Sequence, residues 1–383
     1  MKALITHFSF ATIGGAERVA LKIAVYLREV MGMEVEVLCF DAPDEKKLAS
    51  QFGLSSQDGI KFTELKSPFG INLQLFRIAH LHRVSRQIAG EFDLCISTYN
   101  EQDFGRPALQ YVHHPIFESR AVLRKYKIIP RENIIDRYGF LEPIYYGFLN
   151  LYSGSDVSAR RKNVTLTNSG FMAGILEGCG YSDVNVLYPG FLELDGVEAS
   201  NVKKHQIFSL GRIEPDKHTT ELVRMYKVLH EADPSLKLIV CGLTGSADYL
   251  AKVKSLIQEL DVPVELMLDQ NRDSVLRMIH ESKYYINPKP YEHFGIATVE
   301  AIEAGCIPFV HNSGGNQEIV SHEVLRFENA EELGRNFIQL NGDETLQTKI
   351  LSGLRSDLEK YSSATFFKLF HEITRLFLKR TGS

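Results

Sequence analysis

The sequence predicts an α/β protein: two doubly wound, mostly parallel-sheet domains in series, with a closing helix at the C-terminus. Three observations carry the prediction. The 383 residues exceed what one core comfortably serves, so two domains of somewhat under two hundred residues each are expected. Short apolar runs rich in β-branched residues recur with helix-length patterns between them, the alternation of β-α units around a parallel sheet. A polar, Gly-bearing stretch at 190–205 divides the runs into two series, as a linker would.

In the first series the expected strands are "KALITHF", "VEVLCF", "KFTEL", "DLCIST", "ALQYVH", "VTLTNS" and "VNVLYP". They define an N-terminal domain over 1–190. The second series, "QIFSL", "LKLIVCG", "VELMLD", "YYINP" and "IPFVHN", alternates with helical patterns near 218–232, 247–260, 272–282 and 296–304, and defines a C-terminal domain over 206–360 after a linker at 191–205. Residues 361–383 carry apolar side chains at helical spacing, namely Phe366, Phe367, Phe370, Ile373, Leu376 and Phe377, so a helix packing back towards the N-terminal domain is expected. In open α/β sheets ligands sit beyond the carboxyl ends of the strands, and two such edges facing one cleft suit two substrates.

Composition narrows the function. A hydrophobic share of 44% with 24% charged residues argues against disorder. A net charge of −5 gives no electrostatic case for a nucleic-acid binder, which needs a basic excess to neutralise phosphates. Five cysteines lie singly, without a C-x-x-C pair, so neither a zinc site nor a disulfide framework is expected. No signal-like N-terminus and no apolar stretch near the roughly 20 residues of a spanning helix is found. The expected location is cytoplasmic, or peripheral on the cytosolic face of a membrane.

The chemistry concentrates at predicted strand ends. In "YEHFGIATVEAIEAG" a strand ends at Pro288 and a helix opens near Gly295, so the Gly295 and Ile296 amides are candidate phosphate donors at a helix N-terminus. Glu300, about one turn into that helix, could accept hydrogen bonds from vicinal ribose hydroxyls. Glu292, before the turn, could reach a sugar ring or a developing positive charge. Small residues at Ala297, Ala301 and Ala304 let the helix lie close to the sheet. In "FSLGRIEPDKHTTELV", Gly211 turns after a strand, and Arg212 and Lys217 precede the next helix, where two cations can neutralise a diphosphate and the charge that builds on it as it leaves. Taken alone, Lys217 reads rather as a solvated loop lysine. "HNSGGNQEIV" sets Gly314 and Gly315 in a turn on the same edge. In the first domain Gly14 and Gly15 fall between strand and helix, where backbone amides can face an anion, and "LQYVHHPIF" puts His113 and His114 at a strand end. A lone histidine in an α/β protein is usually structural.

The stretches "GGAERVA", "GRIEPDK", "EHFGIATVEAIEAG" and "HNSGG", in this order, resemble those of retaining glycosyltransferases of family four, which have the GT-B fold of two Rossmann-like domains facing a central cleft. The resemblance spans nearly the whole chain. It matches the family's E-x7-E motif to Glu292 and Glu300, its Arg/Lys pair on the donor diphosphate to Arg212 and Lys217, and its N-domain histidine, two residues before a proline, to His113 before Pro115. It implies a donor site of Gly14, Gly15, Gly211, Arg212, Lys217, Glu292, His293, Phe294, Gly295, Ile296 and Glu300, with His113, Glu292, Arg212 and Lys217 nearest the chemistry. The implied reaction transfers a hexose from a nucleotide-sugar with its anomeric configuration kept, the leaving diphosphate taking the acceptor proton. No metal or cofactor is implied, in keeping with the absence of Asp-x-Asp from the sequence.

The stretch "YEHFGIATVEAIEAGCIPFVHNSGG" is also similar to the mannosyltransferase subgroup that extends lipid-linked oligosaccharides, which points to GDP-mannose, although Asn316 stands where that subgroup usually has proline. The implied acceptor is a glycan or lipid-linked saccharide. Residues 71–90 hold Arg77, Arg83 and Arg86 without an acidic residue, and 115–165 hold nine Lys/Arg against five Asp/Glu beside "FLEPIYYGFLNLY". Basic charge among aromatics suits a surface resting on anionic lipid, at about 1 kcal/mol per cation. Two alternatives stay open: a UDP-sugar-dependent glycosyltransferase with a soluble acceptor, and a GT-B-fold sugar-nucleotide epimerase using His113 and Glu292 as acid and base.

Overall fold

The computed structural model describes residues 1–44, 59–70, 73–118, 120–126, 142–190 and 203–382. It divides into two compact units, Met1–Pro189 with Phe366–Ser383, and Gly190–Thr365.

Unit 1 is built on strands β1 (Lys2–Thr6), β2 (Glu34–Cys39), β3 (Ile60–Glu64), β4 (Leu94–Ser97), β5 (Leu109–Val112), β6 (Val164–Thr167) and β7 (Val184–Val186), ordered β3-β2-β1-β4-β5-β6-β7 among the described residues. Every ladder is parallel. The central strands are buried along nearly their whole length, as a parallel sheet covered on both faces requires. Helix Gly15–Glu29 buries Val19, Ala20, Ile23, Ala24 and Leu27, one stripe at helical spacing.

The C-terminal helix Ser363–Thr381 completes this unit. Phe366, Phe370, Phe377 and Leu378 share a core with Ile5, Ile23, Leu27 and Val35, and the Tyr26 ring stacks on Phe367 at 5.0 Å. Two expectations need correction. Leu376 is 56% exposed, because a residue next to Phe377 points about 100° away from the buried stripe, and Thr374 lies in the core instead. Tyr361 does not open this helix; its ring packs on Phe294 in unit 2, and its hydroxyl donates to the Glu318 carbonyl.

Unit 2 carries β8 (Lys204–Leu210), β9 (Lys237–Gly242), β10 (Val264–Leu268), β11 (Ser282–Asn287), β12 (Ile307–His311) and β13 (Arg326–Phe327), ordered β10-β9-β8-β11-β12-β13 and again parallel throughout. Helices Thr219–Ala232, Ala247–Leu260, Arg272–Glu281 and Ile296–Glu303 lie close to the predicted ranges. The expected linker is too long by two residues. β8 starts at Lys204, which reads as linker by its charge but pairs with Ser282, while 191–202 lie outside the described residues. β13 is too short to leave an apolar run in the sequence.

Strand order reverses between β1 and β4 in unit 1 and between β8 and β11 in unit 2. Those are the points at which the carboxyl edge of such a sheet opens a crevice for ligands.

Candidate active site

In unit 2 the two loops at the reversal point meet. The loop after β8 turns at Gly211, whose amide donates to the Cys241 carbonyl, and a short 3-10 turn over Pro215–Lys217 brings Lys217 round. The close passage needs a second glycine: a Cβ at Gly242 would fall 1.7 Å from the Gly211 carbonyl oxygen. Lys217 Nζ then lies 3.3 Å from Glu292 Oε2 in the loop after β11. Lys217 is therefore no solvated loop lysine. Its ammonium is held above its ordinary pKa by the charge of Glu292, against burial, which works the other way. Burial would raise the Glu292 carboxyl, but Lys217 and Lys289 overcome it and hold it well below the usual carboxylate range. Lys289 Nζ approaches Glu292 Oε1 at 3.9 Å and Asp216 Oδ2 at 3.6 Å. Arg212 does not join this cluster; its side chain is 56% exposed and pairs with Glu214 at 3.2 Å.

Glu292 is fixed from behind by the paired glycines. Gly315 N donates to the Glu292 carbonyl at 2.7 Å, and Glu292 and Gly314 form an isolated parallel bridge. A Cβ at Gly314 would sit 2.5 Å from the Glu292 carbonyl oxygen, and one at Gly315 2.4 Å from that of His293. These glycines thus serve backbone approach. Phe294, expected at the donor, is buried against Tyr361. Gly295 stands at φ +111 as the N-cap of helix Ile296–Glu303, and the Gly295 and Ile296 amides form no hydrogen bond among the described residues.

Glu300 is buried on that helix, and its carboxylate is gripped from both oxygens by Arg272, Nη2 to Oε1 at 2.7 Å and Nη1 to Oε2 at 3.4 Å. Arg272 and Lys289 were not anticipated from the sequence. Both follow a strand end by a few residues, the same signal that singled out Arg212 and Lys217. The helix is held from its other end too, where Arg355 Nε donates to the Ile302 carbonyl and Lys203 Nζ to that of Ala304. Ala301 and Ala304 pack on Phe208 and Tyr285 of the sheet.

In unit 1 the Gly14 amide is not open to an anion. It donates to Glu17 Oε2 at 2.8 Å, closing the first turn of helix Gly15–Glu29. Glu17 Oε1 lies 3.6 Å from Nε2 of the fully buried His7. Burial would raise the Glu17 carboxyl, but the neighbouring His7 imidazole brings it below its ordinary value. His113 follows β5 on the same sheet edge. Burial pushes its imidazole down to about 3, aided by His7 and His114, so the ring is neutral at pH 7, and its enclosed Nε2 has no hydrogen-bond partner among the described residues.

The basic stretch at 71–90 is used inside unit 1. Arg77 pairs with Asp41 at 3.5 Å and lies over the Phe8 and Phe40 rings; Arg86 pairs with Asp103. The apolar surface lies on helix Glu142–Ser153. Its Leu149 is buried, whereas Ile144, Phe148 and Leu151 form an exposed stripe at helical spacing, with Phe69 and Leu73 also exposed in this unit. Residues 127–141, which hold part of the other expected basic stretch, lie outside the described residues. Among the described residues no helix is long and apolar enough to cross a membrane.

Residues 191–358 match the family model "Glycosyl transferases group 1". The chain is 28% identical over 226 residues to the Xenopus laevis GDP-Man:Man(3)GlcNAc(2)-PP-Dol alpha-1,2-mannosyltransferase, covering 55% of this chain and 44% of the relative. It is 26% identical over 295 residues to the human protein of the same name, covering 67% and 58%. The chain thus spans about half the length of these relatives. Among solved structures, Anabaena HepE in complex with UDP and glucose aligns with a TM-score of 0.69 at 18% identity over 98% of this chain and 99% of that one. WaaG, a glycosyltransferase involved in lipopolysaccharide biosynthesis, aligns at 0.69 and 14% over 95% and 98%. Likeness over both whole chains gives this protein the GT-B fold.

Proposed function

We propose that this GT-B-fold chain, with its group 1 glycosyltransferase domain over residues 191–358, is a retaining mannosyltransferase that moves mannose from GDP-mannose onto a lipid-linked saccharide. The observation that carries the reading is the meeting of Lys217 and Glu292 where strand order reverses in unit 2. The relatives named as GDP-mannose-dependent support the donor and the acceptor class.

In this reading the Gly295 and Ile296 amides, Lys217 and Arg212 receive the donor diphosphate, and Glu300, oriented by Arg272, accepts the ribose hydroxyls. Glu292, held as a carboxylate, sets a negative charge near the anomeric carbon as positive charge grows there. The bond from that carbon to the diphosphate oxygen breaks, the bond to the acceptor oxygen forms on the same face, and the acceptor proton passes to the leaving diphosphate. Lys217 stabilises that diphosphate as its charge grows, an effect of about 3 kcal/mol for one oriented donor in comparable oxyanion sites. The neutral His113 imidazole, at the carboxyl edge of the unit 1 sheet, is the hydrogen-bonding group that unit 1 offers to a sugar substrate. No step needs a metal.

The exposed stripe of Ile144, Phe148 and Leu151 supports a peripheral membrane contact made by apolar side chains. Flotation with anionic liposomes tests it: wild type should float, and Ile144→Ser/Leu151→Ser should not, whereas equal recovery of both rejects it.

The activity is tested by thermal-shift titration with GDP, UDP, GDP-mannose and UDP-glucose, then by transfer assay with a lipid-linked acceptor. Ligand binding only the folded form raises stability by about 2.7 kcal/mol at a hundredfold excess over Kd. Stabilisation by the GDP compounds, with mannosyl transfer insensitive to chelator, supports the reading. Stabilisation by the UDP compounds alone moves the donor, and epimerised nucleotide-sugar without an acceptor product replaces the reaction.

A further inference from the structure

After β5 the chain runs His113-His114-Pro115-Ile116-Phe117, and two adjacent side chains satisfy every backbone N–H in it. Asn100 Oδ1 accepts from His113 N at 3.1 Å and from His114 N at 3.2 Å. Pro115 has no N–H to satisfy. Glu101 Oε1 accepts from Ile116 N at 2.7 Å and also from Phe117 N. On the other side of His113, Asn168 Nδ2 donates to its carbonyl at 3.2 Å.

Asn100 and Glu101 are both buried, and Asn100 stands at φ +65 with its carbonyl held by the Ser97 hydroxyl at 2.8 Å. Asparagine is one of the few residues that tolerates this left-handed conformation, so one side chain supplies both the turn and the acceptor. A loop needs its buried N–H groups satisfied, but a neutral acceptor would do so at lower cost than a buried carboxylate. The second oxygen of Glu101 has no hydrogen-bond partner among the described residues.

We propose that Asn100 and Glu101 are positioning residues that fix the backbone of His113–Phe117 and so hold the His113 imidazole at the carboxyl edge of the unit 1 sheet for a sugar substrate; this rests on the role given to His113 above. Displacing a positioned group by about 1 Å can cost on the order of a hundredfold in rate.

Two variants isolate the effect. Asn100→Gly keeps the positive φ and removes the acceptor; Asn100→Asp keeps both. Asn100→Gly should lower kcat for transfer from GDP-mannose at least tenfold, with KM for GDP-mannose and Kd for GDP within twofold, because the nucleotide is held by unit 2. Asn100→Asp should stay within threefold of wild type. A wild-type kcat in Asn100→Gly, an equal loss in Asn100→Asp, or GDP affinity falling in step with kcat overturns the proposal. Ring spectra of carbon-13-labelled histidine, assigned with His113→Gln, read the positioning without any substrate. The His113 ring signals should move in Asn100→Gly and return in Asn100→Asp, and unchanged signals in Asn100→Gly overturn the proposal. If wild type transfers nothing from GDP-mannose, the donor reading fails while the ring spectra still decide the positioning.

Discussion

Lys217 Nζ lies 3.3 Å from Glu292 Oε2, so a cation that follows the first strand of unit 2 is held by a carboxylate that follows the fourth. Lys289 takes the other oxygen of that carboxylate at 3.9 Å. An incoming diphosphate therefore meets cations already paired with Glu292 and must share them. Lys217→Met should weaken GDP binding at least tenfold. Glu292→Gln, which removes the competing negative charge, should leave GDP binding as tight or tighter while lowering mannosyl transfer roughly a hundredfold, as loss of one oriented electrostatic group does. Calorimetric titration with GDP beside a transfer assay reads both, and weaker GDP binding in Glu292→Gln would contradict the arrangement.

Arg272 and Glu300 make an asymmetric pair. Glu300 is 5% exposed at its side chain and Arg272 is 32% exposed. Removing the arginine strands a buried carboxylate, at about 1–3 kcal/mol or more for a charged group, whereas removing the carboxylate frees a guanidinium that can turn to water. Arg272→Ala should therefore destabilise unit 2 more than Glu300→Gln does, and both should weaken GDP binding. Urea denaturation followed in each variant checks the order, and the reverse order would mean that Arg272 is not what keeps Glu300 tolerable.

Gly295→Ala should be severe. The position has φ +111, which an L side chain rarely adopts, and the new Cβ would fall 2.2 Å from Oδ1 of the buried Asn316, which also accepts from the Thr298 hydroxyl at 2.9 Å. Backbone strain and overpacking together should cost roughly 2–4 kcal/mol. Adding Asn316→Gly should recover the steric part and leave the strain, so the double variant should melt between Gly295→Ala and wild type.

Glu101→Gln carries a pH signature. Burial pushes the Glu101 carboxyl up to about 7, against the backbone amide of Phe117, the charge of Arg160 and the amide of Ile116, all of which lower it. An unfolded glutamate titrates near ~4.3. The folded protein thus holds the proton longer, and this contribution to stability is complete below the unfolded value and lost as pH rises towards about 7. A glutamine side chain in its place would still accept from both amides and would never ionise. The melting temperature of the variant relative to wild type should therefore rise between pH 5 and pH 8, and a pH-independent difference would refute the burial of a titrating carboxyl there. Working with the difference cancels His82 and His113, which burial pushes down to about 3 and which oppose the trend in both proteins.

Much of this was legible because it depends on distance along the chain. Lys217, Glu292 and Gly295 sit at short offsets from strand ends, and a strand end is visible as the close of an apolar run. Asn100, Glu101 and Arg272 were not legible, because their roles depend on which loop folds against them. Nothing in "TYNEQDF" states that its side chains will meet the amides after "LQYV". The basic stretch at 71–90 misled for the same reason: Arg77 and Arg86 read as surface charge until Asp41 and Asp103 arrive from elsewhere in the fold. The glycine pair 314–315 was visible in the sequence, but its partner, the backbone of Glu292 and His293, was not.

The C-terminal helix joins the two ends of the chain in one core, and this gives the last prediction. Phe370 is fully buried, its ring 5.8 Å from that of Tyr26 and 6.1 Å from the stacked Phe366. Phe370→Ala should destabilise unit 1 by about 3–5 kcal/mol, the usual cost of emptying a buried phenylalanine site. Leu376→Ala, on the exposed side of the same helix, should stay within about 0.5 kcal/mol of wild type. The helix belongs by contact to the unit furthest from it in sequence, so the Phe370 effect should fall on unit 1 alone. Hydrogen exchange would read this as faster exchange in β1 and β2 with β8 and β11 unchanged, and GDP binding should be preserved. Equal acceleration in both sheets would mean that the two units unfold as one.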